Sequence, residues 1–416
     1  MTTLNEFSFS KDLTHVHVIG DGVTAKAVRL VVARLEGFVL SELNSADIVV
    51  PSPGIDPKDY PETSAEIMSE PEFAYRLMRR PNSRFSPRII AVTGTNGKST
   101  LTALIAHVLG IPGLGNIGVP MITYVDKCCS FDWIVVELSS YQLDGCRYFL
   151  PDIAVLLNIT PDHMTRYHGF DQYIASKEQL ITLLSKDSIL FYNQDCSTTK
   201  AICEKESVCQ HKVKLSQTAH LSIQEALSSV PVYGAHAWFN LKACYLIAEV
   251  VGVPESMILS RCKSFESLPH RFEVFCEYQG LVFINDSKST TPESSLVAIE
   301  AASSYGLPIH MILCGDDKGL SVSQLVSTIH AHCASLSLYG GIANKLEDCS
   351  NTLNESFPVY RFEQLRDLLG HLMSIIAGPS VVLFSPGSSS FDLYSHFQAR
   401  GDAFKSEVQL LTKGDL

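Results

Sequence analysis

Lys98, Ser99 and Thr100 stand directly after Gly94-Thr95-Asn96-Gly97, an order of residue types suited to holding phosphate. Backbone N–H groups of a glycine turn and the positive end of a following helix attract phosphate oxygens. A lysine there reaches the outer phosphates, and a hydroxyl ligates Mg²⁺. The general phosphate-loop pattern carries a further Gly five residues before Gly97, and Val92 stands at that place. Metal-assisted phosphate chemistry also needs hard oxygen ligands beside the phosphates. Ser99 and Glu137 offer two, and His163 suits a second metal position. A lone strand-end glutamate is more often solvated, and a lone histidine more often makes a structural hydrogen bond. Beside the loop, the metal–phosphate reading of both is the stronger one.

Positioning these residues requires strands that end at one rim. Ile89 to Val92 is an unbroken apolar run, as in a strand buried on both faces. Lys98 onward carries Leu101, Leu104, Ile105 and Val108 at helical spacing. Trp133 to Val136 delivers Glu137, Ile153 to Leu157 delivers Asn158, Thr160, Asp162 and His163, and Ile189 to Tyr192 forms another strand. Apolar strands alternating with helical stretches imply a parallel sheet, whose ligands sit beyond the strands' carboxyl ends.

Two flanking segments repeat the pattern. Val16 to Ile19, then Gly20-Asp21-Gly22-Val23-Thr24-Ala25, then Val28, Val31, Val32 and Leu35, form G-x-G-x-x-A between a strand and a helix, with Glu42 about 20 residues on. Either a dinucleotide or another nucleotide-bearing substrate fits such a turn, and so does a purely structural βα corner. Ile48 to Val50 leads into Ser52-Pro53-Gly54-Ile55. In the last segment three strands end in polar turns: Leu281 to Ile284 before Asn285–Thr290, Ile309 to Leu313 before Gly315–Gly319, and Val381 to Phe384 before Ser385–Ser390. On one rim, their lysines and hydroxyls would grip a small dianion. The expected class is α/β with three domains: a Rossmann-like first domain at 1–87, a central phosphate-loop domain with a mainly parallel sheet at 88–268, and a Rossmann-like last domain at 269–416. Polar, proline-flanked Pro81 to Pro87 reads as the first linker.

Composition narrows the classes. The chain has 416 residues, enough for two or three domains, and 46% apolar content supports real cores. A net charge of -12 argues against a nucleic-acid partner, which calls for a basic footprint. No run is apolar enough for a bilayer span, so no membrane partner is expected. Twelve cysteines without any C-x-x-C suggest neither zinc nor a disulfide framework. The start lacks a charged segment followed by an apolar one, and reduced thiols fit a cytoplasmic enzyme.

The loop G-T-N-G-K-S-T resembles that of the Mur ligases and folylpolyglutamate synthases, and further motifs favour the former. ELSSYQL at Glu137–Leu143 and NITPDHMTRY at Asn158–Tyr167 are similar to motifs of the Mur branch that adds D-glutamate. Tyr173-Ile174-Ala175-Ser176-Lys177 resembles the family's Y-x-x-x-K, whose lysine is carbamylated. Gly234-Ala235-His236 with Asn240 resembles its adenine-contacting G-x-H-N-x-x-N, with Ala237 replacing the first Asn. His270-Arg271-Phe272-Glu273 resembles its domain-joining H-R-F/M-E. No D-N-P-R occurs, which argues against the branch adding a diamino acid.

The resemblance implies a monomeric enzyme that uses ATP and Mg²⁺ to join D-glutamate to UDP-N-acetylmuramoyl-L-alanine through an acyl phosphate. It implies catalytic roles for Lys98, Glu137, His163 and Lys177, with metal held by Ser99, Glu137, His163 and carbamylated Lys177. ATP would meet Gly94, Thr95, Asn96, Gly97, Lys98, Ser99, Thr100, Asn240, Arg271 and Asp286. The UDP substrate would meet Gly22, Val23, Thr24, Ser52, Gly54, Asn116, Ser139, Gln142 and His163. D-Glutamate would meet Lys288, Thr290, Lys318, Ser390 and Phe397. Three other readings stay open: a folylpolyglutamate-type ligase, which ELSSYQL speaks against; an NAD oxidoreductase, which leaves Lys98 unexplained; and a nucleotide switch, which explains the loop alone.

Overall fold

The computed structural model describes residues 9, 13–81, 83, 85–125, 127, 131–162, 164, 166–205, 207–216, 221–227, 230, 235–316, 319, 321–343 and 357–413. It divides into two compact units, Met1–Val230 with Phe239–Phe265, and Glu266–Leu416 with Pro231–Trp238.

The first unit holds two sheets. One consists of β1 (Thr14–Ile19), β2 (Phe38–Leu40), β3 (Ile48–Pro51) and β4 (Glu66–Ile67), in the order β2-β1-β3-β4. Its pairings are all parallel. Strand order therefore reverses at β1, and Gly20–Gly22 lies beyond that reversal point, where open α/β sheets take ligands. The helix Val23–Val32 follows, burying Ala25, Val28, Val31 and Val32. It stops three residues before Leu35, which the apolar spacing had included; Leu35 packs on the core from beyond the helix end.

The other sheet of this unit consists of β5 (Arg88–Thr93), β6 (Gly113–Gly115), β7 (Trp133–Glu137), β8 (Ile153–Leu156), β9 (Ile189–Asn193) and β10 (His211–Leu215). Its order is β10-β9-β8-β5-β7-β6, and it too is parallel throughout. Ile89 to Val92, Ile134 to Val136 and Ile153 to Leu156 are fully buried. That is what a sheet covered on both faces demands of its central strands. The helix Lys98–Leu109 ends at Gly110, whose φ of 67° closes it in the left-handed conformation open to glycine.

Sequence reading assigned no element to Glu70–Met78, which is a helix buried along its whole length, charged residues included. Glu72 accepts hydrogen bonds from the backbone N–H groups of Arg147, Tyr148 and Phe149, and from Arg76 Nε at 2.7 Å. Arg76 also makes a forked pair with Glu66. These bonds tie the first sheet to the segment following β7 and offset the cost of desolvating the charges.

Glu70 lacks such compensation. Its Oε1 accepts from Ile122 N–H at 2.6 Å, while Oε2 is buried without a partner. Burial pushes its carboxyl up to about 7, opposed by the Ile122 and Met121 amides. With the folded pKa above the unfolded one, the native state holds more protons than the unfolded state between about pH 4.5 and 7. Stability from this group is therefore full below that window and lost as pH rises through it. The expected loss is on the order of 3 kcal/mol. Denaturant unfolding at pH 5 and pH 8 should show it, and Glu70→Gln should flatten the difference. An unchanged pH slope in that variant would place its origin elsewhere.

The second unit holds one sheet of β11 (Glu273–Tyr278), β12 (Leu281–Asn285), β13 (Ile309–Cys314), β14 (Ser335–Tyr339), β15 (Val359–Arg361) and β16 (Ser380–Phe384). The order is β11-β12-β16-β13-β14-β15, parallel except for β11 against β12. The three strands expected to end in polar turns, β12, β16 and β13, are neighbours and parallel, so those turns share one rim. Sequence reading found only these three strands of the six.

Candidate functional site

The rim of the first unit's larger sheet is built around the end of β5. Gly94 has a φ of 148°, and a Cβ there would lie 2.7 Å from Leu157 Cβ, so the turn has no room for a side chain. Gly97 has a φ of 85°, and a Cβ there would sit 3.4 Å from Asn240 Oδ1. The turn is fixed from the end of β8. Thr95 N–H donates to Asn158 O at 2.7 Å, Asn96 N–H donates to Asn158 Oδ1 at 3.0 Å, and Thr160 N–H donates to Thr95 Oγ1 at 3.0 Å. Asn158 thus shapes the loop from 62 residues away. Lys98 curls back, its Nζ donating to Thr95 O at 2.6 Å. Ser99 is buried in the first helical turn, beside partly exposed Thr100.

Glu137 lies in register with Val92 on one side and Gly115 on the other. It is 1% exposed, so it is not the solvated strand end that a lone glutamate would suggest. Asn116 Nδ2 donates to its Oε1 at 2.8 Å, and its Oε2 is buried with no hydrogen-bond partner. A buried carboxylate oxygen without a donor is costly unless a cation meets it. That oxygen and the hydroxyl of Ser99, in the helix that follows β5, are of the chemical type that suits Mg²⁺, a hard ion bound through few protein oxygens. Among the described residues no three His, Cys, Asp or Glu side chains form a metal cluster. His163 lies outside those residues.

Lys177 comes from the helix Phe170–Thr182 and is 1% exposed. Its Nζ donates to Thr93 Oγ1 at 3.2 Å, at the end of β5, and lies 5.4 Å from the Tyr173 ring centroid. Burial is the chief cause holding its ammonium well below the usual lysine range, and the charge of Lys98 adds to it; Asp162, Glu137 and Asp144 act in the opposite sense. The plain surface lysine is thereby excluded. A neutral amine at this place is nucleophilic toward CO₂, and the carbamate formed would be a carboxylate-like ligand. Ser139 and Gln142 cap the short helix after β7 reciprocally, with Ser139 N–H on Gln142 Oε1 at 3.0 Å and Gln142 N–H on Ser139 Oγ at 3.2 Å.

The smaller sheet of the same unit presents Gly20–Gly22 and Ser52–Ile55. Gly22 begins the helix with no side-chain cap, and Val23 is 67% exposed at its first turn, beside Thr24. Ser52 Oγ is buried without a partner, and a Cβ on Gly20 would come within 2.7 Å of it. Gly54 is open, with nothing near its missing Cβ. A helix start and an unpaired hydroxyl together form an anion-accepting corner.

In the second unit Asp286, Lys288 and Thr290 follow β12, and Ser390 follows β16. Asp286 is buried and tied in: Phe272 N–H donates to Oδ1 at 3.0 Å, while Ser289 Oγ and Ser385 Oγ donate to Oδ2. Burial raises its carboxyl to about 6 against these bonds. Arg271 sits between His270 (φ 64°) and Phe272 (φ 46°), both in the left-handed region that non-glycine residues seldom adopt. Lys288 Nζ lies 4.6 Å over the Phe397 ring, and Gly387 N–H donates to Ser289 O, so the turns after β12 and β16 meet. Lys318 lies outside the described residues.

Sequence reading missed the residue that fastens this rim. Arg400 is fully buried in the helix Phe397–Lys413. It donates to Ser287 Oγ and O at 3.1 and 2.9 Å, to Ser388 O and Ser389 O at 3.0 and 3.1 Å, and to Cys314 O at 3.5 Å. One guanidinium thus links the ends of β12, β13 and β16. Its only sequence signal is an arginine on the apolar side of an amphipathic pattern. Arg400→Met should cost on the order of 3 kcal/mol, because several carbonyls lose their donors at once. Urea midpoints of this variant and of Arg400→Lys will check it; a midpoint equal to the wild type would remove the fastening role.

Comparison with known proteins adds to this geometry. Residues 92–232 match the family model for the Mur ligase middle domain. The chain is 30% identical over 406 residues to the UDP-N-acetylmuramoylalanine--D-glutamate ligase of Caldanaerobacter subterraneus subsp. tengcongensis, covering 91% of this chain and 88% of the relative. It is 31% identical over 402 residues to the enzyme of the same name from Geobacter sp. (strain M21), covering 89% and 85%. Among solved structures, MurF ligase from Thermotoga maritima in complex with ADP superposes with a TM-score of 0.65 at 14% identity, covering 98% of this chain and 97% of that one. UDP-N-acetylmuramate-alanine ligase MurC from the same organism gives 0.61 at 16%, covering 95% and 99%. At such identities the structural likeness speaks to the fold.

Proposed function

The chain belongs to the Mur ligase family, and from that premise we propose that it joins D-glutamate to UDP-N-acetylmuramoyl-L-alanine at the expense of ATP, in peptidoglycan precursor synthesis. The observation that carries the reading is the rim at the end of β5. There a phosphate-type glycine turn with Lys98 follows β5, Glu137 ends the neighbouring strand β7 with one unpaired oxygen, and a helix brings a buried lysine in a proton-shedding environment against Thr93.

The reaction divides into two steps. The terminal carboxylate of the nucleotide sugar attacks the γ-phosphorus of ATP, forming an acyl phosphate and releasing ADP. The D-glutamate amine then attacks the acyl carbon, the C–O bond to phosphate breaks, and the amine proton leaves to solvent or phosphate. Positioning and charge stabilisation dominate phosphoryl transfer. In this reading the amides of Gly94–Gly97 cradle the phosphates, and Lys98 releases Thr95 O to reach the outer ones. Asn240, beside Gly97, meets the adenine. Ser99, Glu137, His163 and carbamylated Lys177 would hold Mg²⁺, which when bound neutralises phosphate charge. Lys177 supplies its neutral amine to CO₂, forming the N–C bond and losing a proton.

The uncapped helix start at Gly22, Val23 and Thr24, with Ser52 and Gly54, takes the diphosphate of the UDP substrate. Asn116, Ser139, Gln142 and His163 line its path to the rim. Lys288, Thr290, Lys318, Ser390 and Phe397 take the D-glutamate carboxylates, while Arg271 and Asp286 serve ATP. Three functional domains at 1–87, 88–268 and 269–416, a monomer, and a cytoplasmic setting complete the proposal. No helix among the described residues is long and apolar enough to cross a membrane. Phosphate release from ATP, measured with UDP-N-acetylmuramoyl-L-alanine and a panel of D- and L-amino acids, tests it. Release with D-glutamate alone of the panel, together with amide product, is the expected result. Phosphate release without amide, or preference for another amino acid, would overturn it.

A further inference from the structure

Arg166 is the penultimate residue of the Asn158–Tyr167 motif, and no part of the chemistry above falls to it. Its surroundings are unusual for a motif arginine. Nη1 donates to Ile55 O at 2.9 Å and to Pro53 O at 3.4 Å, both carbonyls of the turn after β3. The guanidinium lies 3.8 Å over the Tyr141 ring, in the helix that follows Glu137. Next along the chain, the Tyr167 hydroxyl donates to Asp144 Oδ2 at 2.9 Å, and its ring lies 6.1 Å from that of Tyr141. Tyr60, past the same turn, has its phenol beside the guanidinium. The rim of the larger sheet therefore holds a planar cation that grips a turn of the smaller sheet by its backbone.

We propose that Arg166 is a positioning residue for the nucleotide-sugar substrate, fixing the Ser52–Ile55 turn at the distance from Lys98 and Glu137 that the substrate must span. The inference rests on the ligase reading. A substrate held at the Gly22–Ser52 corner and reacting beyond β5 has a covalently set length. A misplacement of about 1 Å at the reacting atoms can cost a hundredfold. Backbone carbonyls are what such a brace must hold, since they set the turn whichever side chains it bears. Ser52 Oγ, buried and unpaired, is aimed by that turn. Arginine can stack on a ring and donate in its own plane at once, and lysine cannot.

Steady-state kinetics of Arg166→Ala, Arg166→Lys and Tyr141→Leu decide the matter. KM for UDP-N-acetylmuramoyl-L-alanine should rise about tenfold or more in Arg166→Ala, with KM for ATP within about twofold of wild type. Arg166→Lys should remain impaired, methylguanidinium should partly restore Arg166→Ala, and Tyr141→Leu should show a smaller rise in the same KM. The unchanged KM for ATP reports a folded rim, and Tyr141→Leu carries the test if Arg166→Ala does not fold. Equal rises in every KM, or an unchanged nucleotide-sugar KM, would overturn the inference while leaving the ligase reading intact. A wild type that does not turn over this substrate would overturn both.

Discussion

Lys98→Ala should lower ATP-coupled amide formation at least about a thousandfold. Lys98 is partly exposed at the start of the helix Lys98–Leu109, and its ammonium donates to Thr95 O at 2.6 Å. No other lysine is delivered by that turn, so the charge on the transferring group would lose its nearest protein cation. The substitution removes no packing of the sheet core, because Leu101, Leu104, Ile105 and Val108 are the apolar side chains that this helix buries. Thermal unfolding should therefore stay close to wild type while turnover collapses. D-Glutamate binding, assigned to the other unit, should persist, as calorimetry or saturation-transfer NMR would reveal. A variant that keeps near-normal turnover would contradict the role given to Lys98.

Lys177→Ala comes second, with an expected loss of about a hundredfold or more. The argument begins with burial. A buried ammonium whose hydrogen bond goes to the neutral hydroxyl of Thr93 is an expensive group to retain for structure alone. Its lowered pKa also sets a sign: the unfolded state binds the proton more tightly, so stability from this group rises with pH above the folded pKa. Carbamylation would turn the cost into a ligand. Short carboxylic acids such as formate or acetate, diffusing into the space left by the side chain, should then restore part of the Lys177→Ala activity. Wild-type enzyme should lose activity when CO₂ is stripped from the buffer. If neither rescue nor CO₂ dependence appears, the lysine acts as a plain cation, and Lys177→Arg should then retain activity.

Arg400 and Arg166 show why some of the machinery could not be read along the chain. Arg400 is a single arginine among ordinary neighbours, Arg166 stands in a motif that assigns it no role, and each draws its meaning from carbonyls brought near by folding. Arg400 reaches Ser287, 113 residues away, and Arg166 reaches Ile55 across 111. Glu72 belongs with them, because its three amide donors lie in the segment after β7. A buried glutamate in a short polar stretch has no local signal that distinguishes it from a solvated one.

By itself the sequence determined what depends on contiguous residues. Gly94 to Thr100 announces a phosphate turn because positive φ, a lysine and a hydroxyl must follow one another within a single turn of chain. The apolar runs ending at Glu137 and Asn158 announce buried strands, and parallel alternation places their ends at one rim. Tertiary structure alone decided which groups there are paired and which are left wanting a partner. Glu137 Oε2 and Ser52 Oγ are unpaired, Lys177 is desolvated, and Asp286 is satisfied by its neighbours. The physical reason is that hydrogen-bond satisfaction and dielectric environment belong to the packed volume around an atom, and residues far apart in the chain supply most of that volume.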